Sequence, residues 1–373
     1  MLDPRMTQLA DTLVNFSCGV QEGEHILFEA IDIPEAFVCE CIRMAQQRGA
    51  HPQVLLRSSR VHRALLLGGS EAQWRLTADV ERQLMANVQC YVGIRGSQNV
   101  AELSDVPVEK THHWESQIWQ RVHHQVRVPH TRWVVLRWPG PNMAQLADMS
   151  TAAFEDFYFR VCTMDYAALS RAMVPLKARL EAADEVRIVG PGSTDVRFSI
   201  KDIPAVPCDG RLNIPDGEVF TAPVRDSVNG TVHFNAPSLY RGVTHEGVKL
   251  TFADGKIVQA ESSNTPKLLE VFDTDDGARH LGEFAIGVNP HITRPMKDIL
   301  FDEKIAGSVH LTPGNCYDVA PNGNRSAIHW DLVLIQRPEY GGGELYLDGQ
   351  LVRRDGLFVV DDLKGLNPEA LLG

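Results

Sequence analysis

His329 and Asp331 stand two residues apart in an apolar stretch, Ala327 to Gln336 (AIHWDLVLIQ), and offer the first chemistry in this chain. The Ile, Trp, Val and Leu content reads as a strand. Side chains alternate along a strand, so His329 and Asp331 share one face while Trp330 and Leu332 share the other. An imidazole beside a carboxylate suits zinc, manganese, cobalt or iron, and suits a structural hydrogen bond equally well. Upstream, Asn213 to Pro223 (NIPDGEVFTAP) runs from a Pro-Asp-Gly turn straight into Glu218, a carboxylate that the turn would hold in place. Leu281 to Val288 (LGEFAIGV) carries Glu283 in an otherwise apolar strand, where a lone carboxylate is costly unless paired or metal-bound. Leu300 to Tyr317 (LFDEKIAGSVHLTPGNCY) adds Glu303, His310 and Tyr317 close to a Gly-rich turn.

In this order the pieces resemble the metallo-aminopeptidases typified by aminopeptidase T and aminopeptidase S. The likeness runs from about residue 130 onward and rests on NIPDGEVFTAP followed by DSVNG, then LGEFAIG, LFDE, the His310–Tyr317 segment and SAIHWD. It implies two divalent metal ions (zinc, cobalt or manganese) held by Glu218, Glu283, His310, His329 and Asp331, with Glu303 contributing and Glu283 or Asp331 bridging. It further implies that Tyr317 faces the reacting carbonyl, that a glutamate (Glu283 or Glu303) serves as the base, and that the protein is a homodimer. The expected reaction is hydrolysis of the N-terminal amide bond of a small peptide or amino-acid amide. Two departures leave room for other readings. The interval from His310 to His329 is short for that family. His280 also occupies a place where the similar 2,5-dihydroxypyridine ring-cleaving dioxygenases have a histidine, which would give His280, His329 and Asp331 around a single Fe(II). If residues 280–287 are regularly extended, His280 and Glu283 point to opposite faces, so both reach one site only across a bulge. A non-catalytic small-molecule binding protein is the third possibility.

These residues need a scaffold, and the sequence has two textures. In the first half, apolar runs at Glu24–Phe28, Gln53–Leu56, Cys90–Ile94 and Trp133–Trp138 alternate with helical stretches, one of them opened by Pro34 and running to about Gln47. That alternation predicts a mostly parallel α/β sheet. No GxGxxG or P-loop sequence follows any of these strands. A helix from about Tyr166 to Ala183 leads into a second half rich in short strands and in turns such as Asn229-Gly230 and Asp254-Gly255. This is the grammar of a largely antiparallel α+β domain. The expected organisation is an N-terminal α/β domain over 1–184 and a C-terminal metal-binding domain over 185–373.

Composition narrows the function classes. With 36 basic and 48 acidic residues the formal charge is −12, the wrong sign for a nucleic-acid footprint. No run approaches a membrane span, and the N-terminus lacks the pattern of a signal peptide. Seven cysteines without a CxxC pair suit reduced thiols and a cytoplasmic location. His112, His113, His123, His124 and His130 lack ligand spacing with a carboxylate partner, and read as an exposed helix and loop.

Overall fold

A computed structural model of the chain describes residues 3–99 and 101–373. It divides into two compact units, the first reaching Met164 and including Gly210–Pro215, the second comprising Asp165–Asp209 and Asp216–Gly373.

The first unit is built on five parallel strands in the order His51–Arg57, His25–Ile31, Cys90–Arg95, Arg132–Arg137, Asn213–Ile214. The central strands are apolar on both faces, with Ile26, Leu27, Phe28, Tyr91 and Val92 all buried, as a parallel sheet covered by helices requires. One face is covered by the helices Glu71–Met85 and Glu115–Arg127, whose Ala78, Met85, Ile118, Val122 and Val126 pack on Leu27 and Tyr91. Ser70 caps the first of these by accepting from Gln73 N, and Pro34 precedes the helix Glu35–Gln47 as its sequence suggests. One histidine departs from expectation: His123 is buried, and its Nδ1 accepts from Arg127 Nε at 3.1 Å. The periodicity that turns Val122 and Val126 inward carries His123 with them.

The second unit is antiparallel. Eight strands form one sheet in the order Lys256–Glu261, Lys249–Ala253, Asn229–His233, Asp195–Ser199, Glu185–Val189, Glu344–Leu347, Gln350–Arg354, Leu357–Phe358. Five form another: Leu332–Ile335, Ser308–Pro313, Leu281–Gly287, Glu218–Thr221, Val206–Cys208. The two sheets meet where Phe198 of the larger lies edge-on to Phe284 of the smaller, ring centroids 5.1 Å apart. A buried polar strap also joins them. Arg353 Nη2 donates to Ser308 O and Gln336 Oε1, and Gln336 Nε2 donates to Val189 O and Glu344 O. Because side chains alternate, the face of the smaller sheet opposite Phe284 presents Glu283, Ala285 and Gly287.

Two sequence-based boundaries move. The helix Tyr166–Ala182 belongs to the second unit rather than lying before a break at 184: it packs on the strands Val206–Cys208 and Glu218–Thr221, and Arg179 pairs with Asp362 at 2.7 Å. The strand expected over 327–336 is regular only from Leu332 to Ile335. His329 makes an isolated bridge to Gly314, because Asp275 ties down Ser326 and Ala327 just ahead of it.

Gly287 lets the segment Glu303–Ile305 lie directly on the smaller sheet. A methyl group there would stand 2.5 Å from Ile305 O and 2.6 Å from Ser308 Oγ. Gly287→Ala is expected to cost ~1–3 kcal/mol through overpacking, read as a lower denaturant midpoint. Gly68→Ala, at a site with nothing within 4 Å, should leave the midpoint nearly unchanged.

Candidate metal centre

Strand register assembles the site. Glu283 pairs with Thr312, Ala285 with His310, and Gly287 with Glu218, so these strands deliver their polar side chains to one face of the smaller sheet. Thr312 Oγ1 donates to Asp331 Oδ1 at 2.6 Å and draws the residue before the edge strand into the same cluster. Glu218 follows Gly217, whose φ of +133° and close approach to Asn289 Cβ exclude a larger residue.

The ligand-type atoms fall into overlapping groups. Those of Glu218, Glu283 and His310 lie within 4.8 Å of one another, as do those of Glu283, His329 and Asp331; Glu283 belongs to both. His310 Nε2 is 3.2 Å from Glu283 Oε1 and 3.7 Å from Glu218 Oε2. His329 Nε2 is 3.3 Å from Glu283 Oε2 and 3.4 Å from Asp331 Oδ1. Each imidazole turns its other nitrogen to a main-chain carbonyl: His310 Nδ1 to Glu303 O at 3.2 Å, His329 Nδ1 to Asn315 O at 2.8 Å. Such a bond keeps a proton on Nδ1 and directs Nε2 at the carboxylates, where it carries a proton in the metal-free protein or offers its lone pair to a cation. A lone pair aimed at carboxylate oxygens is repulsive unless a proton or a cation stands between them. Glu218 Oε2 and Glu283 Oε2 are buried without a hydrogen-bond partner. Imidazole and carboxylate donors with orphaned oxygens therefore fit a divalent cation.

The electrostatics describe the same demand. Burial pushes Glu218 up to about 8 and Glu303 up to about 7, against the pull of Lys304 in both cases. Burial opposes charge on His310, but its hydrogen bond to Glu283 and the neighbouring carboxylates raise it to about 10. For Asp331 and Glu283 the adjacent histidines outweigh burial and hold both carboxyls below the ordinary range.

The expected residues do not all converge. Glu303 lies in neither group and is ion-paired with Lys304, the residue after it. Tyr317 stands beside the centre, its ring 4.8 Å from that of His329 and 5.4 Å from that of Phe220, and is 47% exposed. Partial burial and the charges of Glu283, Asp331, Glu303 and Glu218 raise its phenol above the ordinary tyrosine value. His280 is in no metal-competent group among the described residues. A bulge does occur at Gly282, yet burial and the nearby Arg225 lower the His280 pKa, and its bridge partner is Lys256. Of the expected iron triad, only His329 and Asp331 fall in one such group, and that group contains Glu283.

Two participants escaped the sequence. Lys304 is wholly buried, with Nζ 3.6 Å from Glu218 Oε1 and 3.9 Å from Asp216 Oδ1. Asp216, also fully buried, forms a further group with Cys208 and Glu218, whose charge that ammonium offsets in part. A lysine adjoining a predicted ligand was the available signal, but sequence does not show which way its side chain turns.

The family model described as thermophilic metalloprotease (M29) matches residues 2–341. The chain belongs to this M29 family. Aminopeptidase 2 of Geobacillus stearothermophilus is 37% identical over 166 residues, 39% of this chain and 37% of that protein. Aminopeptidase T of Thermus thermophilus is 36% identical over 174 residues, 40% of this chain and 42% of that protein. The match thus spans about two fifths of these curated relatives. Among solved structures, wild-type AmpT of Thermus thermophilus superposes with a TM-score of 0.79 at 21% identity, over 96% of this chain and 99% of that one. The 2,5-dihydroxypyridine dioxygenase of Pseudomonas putida KT2440 gives 0.64 at 14% identity, over 98% and 99%. At these identities the likeness is one of fold, which M29 shares with the dioxygenase.

The pKa shifts predict a pH signature. From about 4.5 up to about 8 for Glu218 and about 7 for Glu303, the folded, metal-free protein retains protons that the unfolded chain has released, and from 6.5 to about 10 the same holds for His310. Stability must fall as pH rises across these windows. Chelator-treated protein should melt several degrees lower at pH 9 than at pH 6 by calorimetry. Excess zinc should reverse the trend, because ligands bind metal in their deprotonated forms. Equal melting of the chelated protein at both pH values would contradict the desolvated carboxylates described above.

Proposed function

We propose that this chain is a metal-dependent aminopeptidase that removes the N-terminal residue of a small peptide or amino-acid amide at a two-metal site. The observation that carries the reading is Glu283, the one carboxylate common to both ligand-type groups, in a chain of the M29 family. Glu218, Glu283 and His310 would hold one divalent ion, and Glu283, His329 and Asp331 the other; zinc, cobalt and manganese all suit this mixed donor set. When bound, such a pair lowers the pKa of a water and polarises a carbonyl.

The rest is done by the chain's own groups. Glu303 lies outside both groups and is raised to about 7, so it can accept a proton from water and return it to the departing amine near neutral pH. Lys304 holds that carboxylate in place. Tyr317, with its pKa raised, keeps its proton and can donate to the oxyanion that develops on the substrate carbonyl. A surplus of carboxylate also suits the ammonium of a peptide's first residue. The reading extends to a cytoplasmic homodimer: all seven cysteines are free, and Val61, Leu76 and Val80 expose apolar surface on helices of the first unit. The ring-cleaving reading has less support because His280 joins no ligand-type group among the described residues, and a purely binding role leaves the desolvated carboxylates only partly compensated.

Paired variants test the assignment. Glu283→Gln should lose metal and nearly all aminopeptidase activity while staying folded. Tyr317→Phe should keep its metal and lose roughly 10²-fold in turnover, as expected for one oxyanion donor. Wild-type metal content and turnover in Glu283→Gln would overturn the reading.

A second pair separates the enzyme classes. His310→Ala should strip metal and activity, whereas His280→Ala should retain metal and alter substrate affinity at most. Metal retained by His310→Ala, together with oxygen uptake on a dihydroxylated aromatic ring, would replace hydrolysis by ring cleavage.

A further inference from the structure

We propose that the first unit carries a second ligand site, specific for a small planar aromatic carboxylate, at the carboxyl edge of its parallel sheet. A cavity of about 950 Å³ opens there, bounded entirely by residues of that unit, within the usual range for small-molecule sites. Strand register builds its floor. Ile31 pairs with Arg57 on one side and Arg95 on the other, and Arg95 pairs with Arg137, so the strands end on one row that holds three arginines. All four residues line the cavity. The strand order also reverses here: from His25–Ile31 the chain adds His51–Arg57 on one side and then returns to add Cys90–Arg95 on the other. The crevice beyond such a reversal is where open α/β sheets bind ligands.

The lining selects the ligand. Arg57 is held by Glu29 at 2.5 Å and Glu81 at 2.8 Å, so its charge is already offset. Arg95 is exposed, and its guanidinium has no ion-pair or hydrogen-bond partner among the described residues. A planar guanidinium fork matches a carboxylate. The walls include flat rings, with Trp114 edge-on to His62 at 4.8 Å and Trp119 stacked on His123 at 5.5 Å, beside hydroxyl and amide side chains and the exposed carboxylate of Glu115. These surfaces favour an aromatic body over an aliphatic one. A dinucleotide fits less well, since the strands run into Asp32-Ile33-Pro34, Ser58-Ser59 and Gly96-Ser97, with no glycine-rich phosphate loop. No residue of the metal centre contributes to the lining.

Titration calorimetry on the full chain tests this, with naphthalene-2-carboxylate as the probe and naphthalene-2-carboxamide and cyclohexanecarboxylate as comparisons. The carboxylate should bind one to one, about tenfold or more tighter than either comparison, equally in metal-loaded and chelator-treated protein. Arg95→Met should weaken it about tenfold or more. Arg95→Lys, which keeps the charge and loses the fork, should fall between, and it decides the matter if the methionine variant does not fold. Equal binding of the carboxamide, wild-type affinity in a folded Arg95 variant, or no saturable binding of the carboxylate would each overturn the proposal. Loss of binding on metal removal would also overturn it, by moving the probe to the metal centre.

Discussion

The desolvation of Glu283 governs the second unit. Its carboxylate lies between His310 and His329 on an otherwise apolar strand, out of reach of the water that would stabilise its charge. Glu218, Glu303, Asp331 and Asp216 crowd the same face, and each further buried charge raises the cost of the others. Lys304 offsets part of that charge from one side and the two imidazoles offset part from the other. What remains is negative, and the unpaired oxygens of Glu218 and Glu283 show where a cation would complete it. The surrounding architecture makes the arrangement tolerable. The opposite face of the strand is locked by Phe284 against Phe198, which fixes the side of the sheet on which the carboxylates lie.

Much of this was legible in the sequence, for reasons that differ by residue. Glu283 announced itself because a charge inside LGEFAIG has no ordinary explanation. Strand parity puts His329 and Asp331 on one face; they do lie together, 3.4 Å apart, although regular pairing begins only at Leu332. The parallel and antiparallel halves followed from the spacing of apolar runs and turns. Lys304 was not legible, since nothing in LFDEK distinguishes a lysine that turns inward from one that reaches solvent. The helix Tyr166–Ala182 was assigned to the wrong side of the domain break because an amphipathic helix declares that it packs, but not on what. His280 was ambiguous for a sharper reason: the bulge needed to bring it inward is present at Gly282, and yet its imidazole lies toward Arg225 and Lys256.

The fold likeness to both AmpT and a ring-cleaving dioxygenase places weight on these few side chains. At such identities the likeness shows the fold alone, so any argument about function has to come from the side chains that the fold carries. Among those side chains Glu283 stands out, because it is common to two ligand-type groups.

Both imidazoles are aimed by main-chain carbonyls, those of Glu303 and Asn315, and not by side chains. A carbonyl oxygen is present whatever amino acid occupies its position, so single substitutions at residues 303 and 315 would not by themselves delete the groups that orient His310 and His329. Orientation is inherited from the path of the backbone and is lost only when that path changes. The surrounding side chains can therefore drift under selection for new substrates while the histidines keep their aim, which gives the centre an evolutionary tolerance that side-chain partners would not provide.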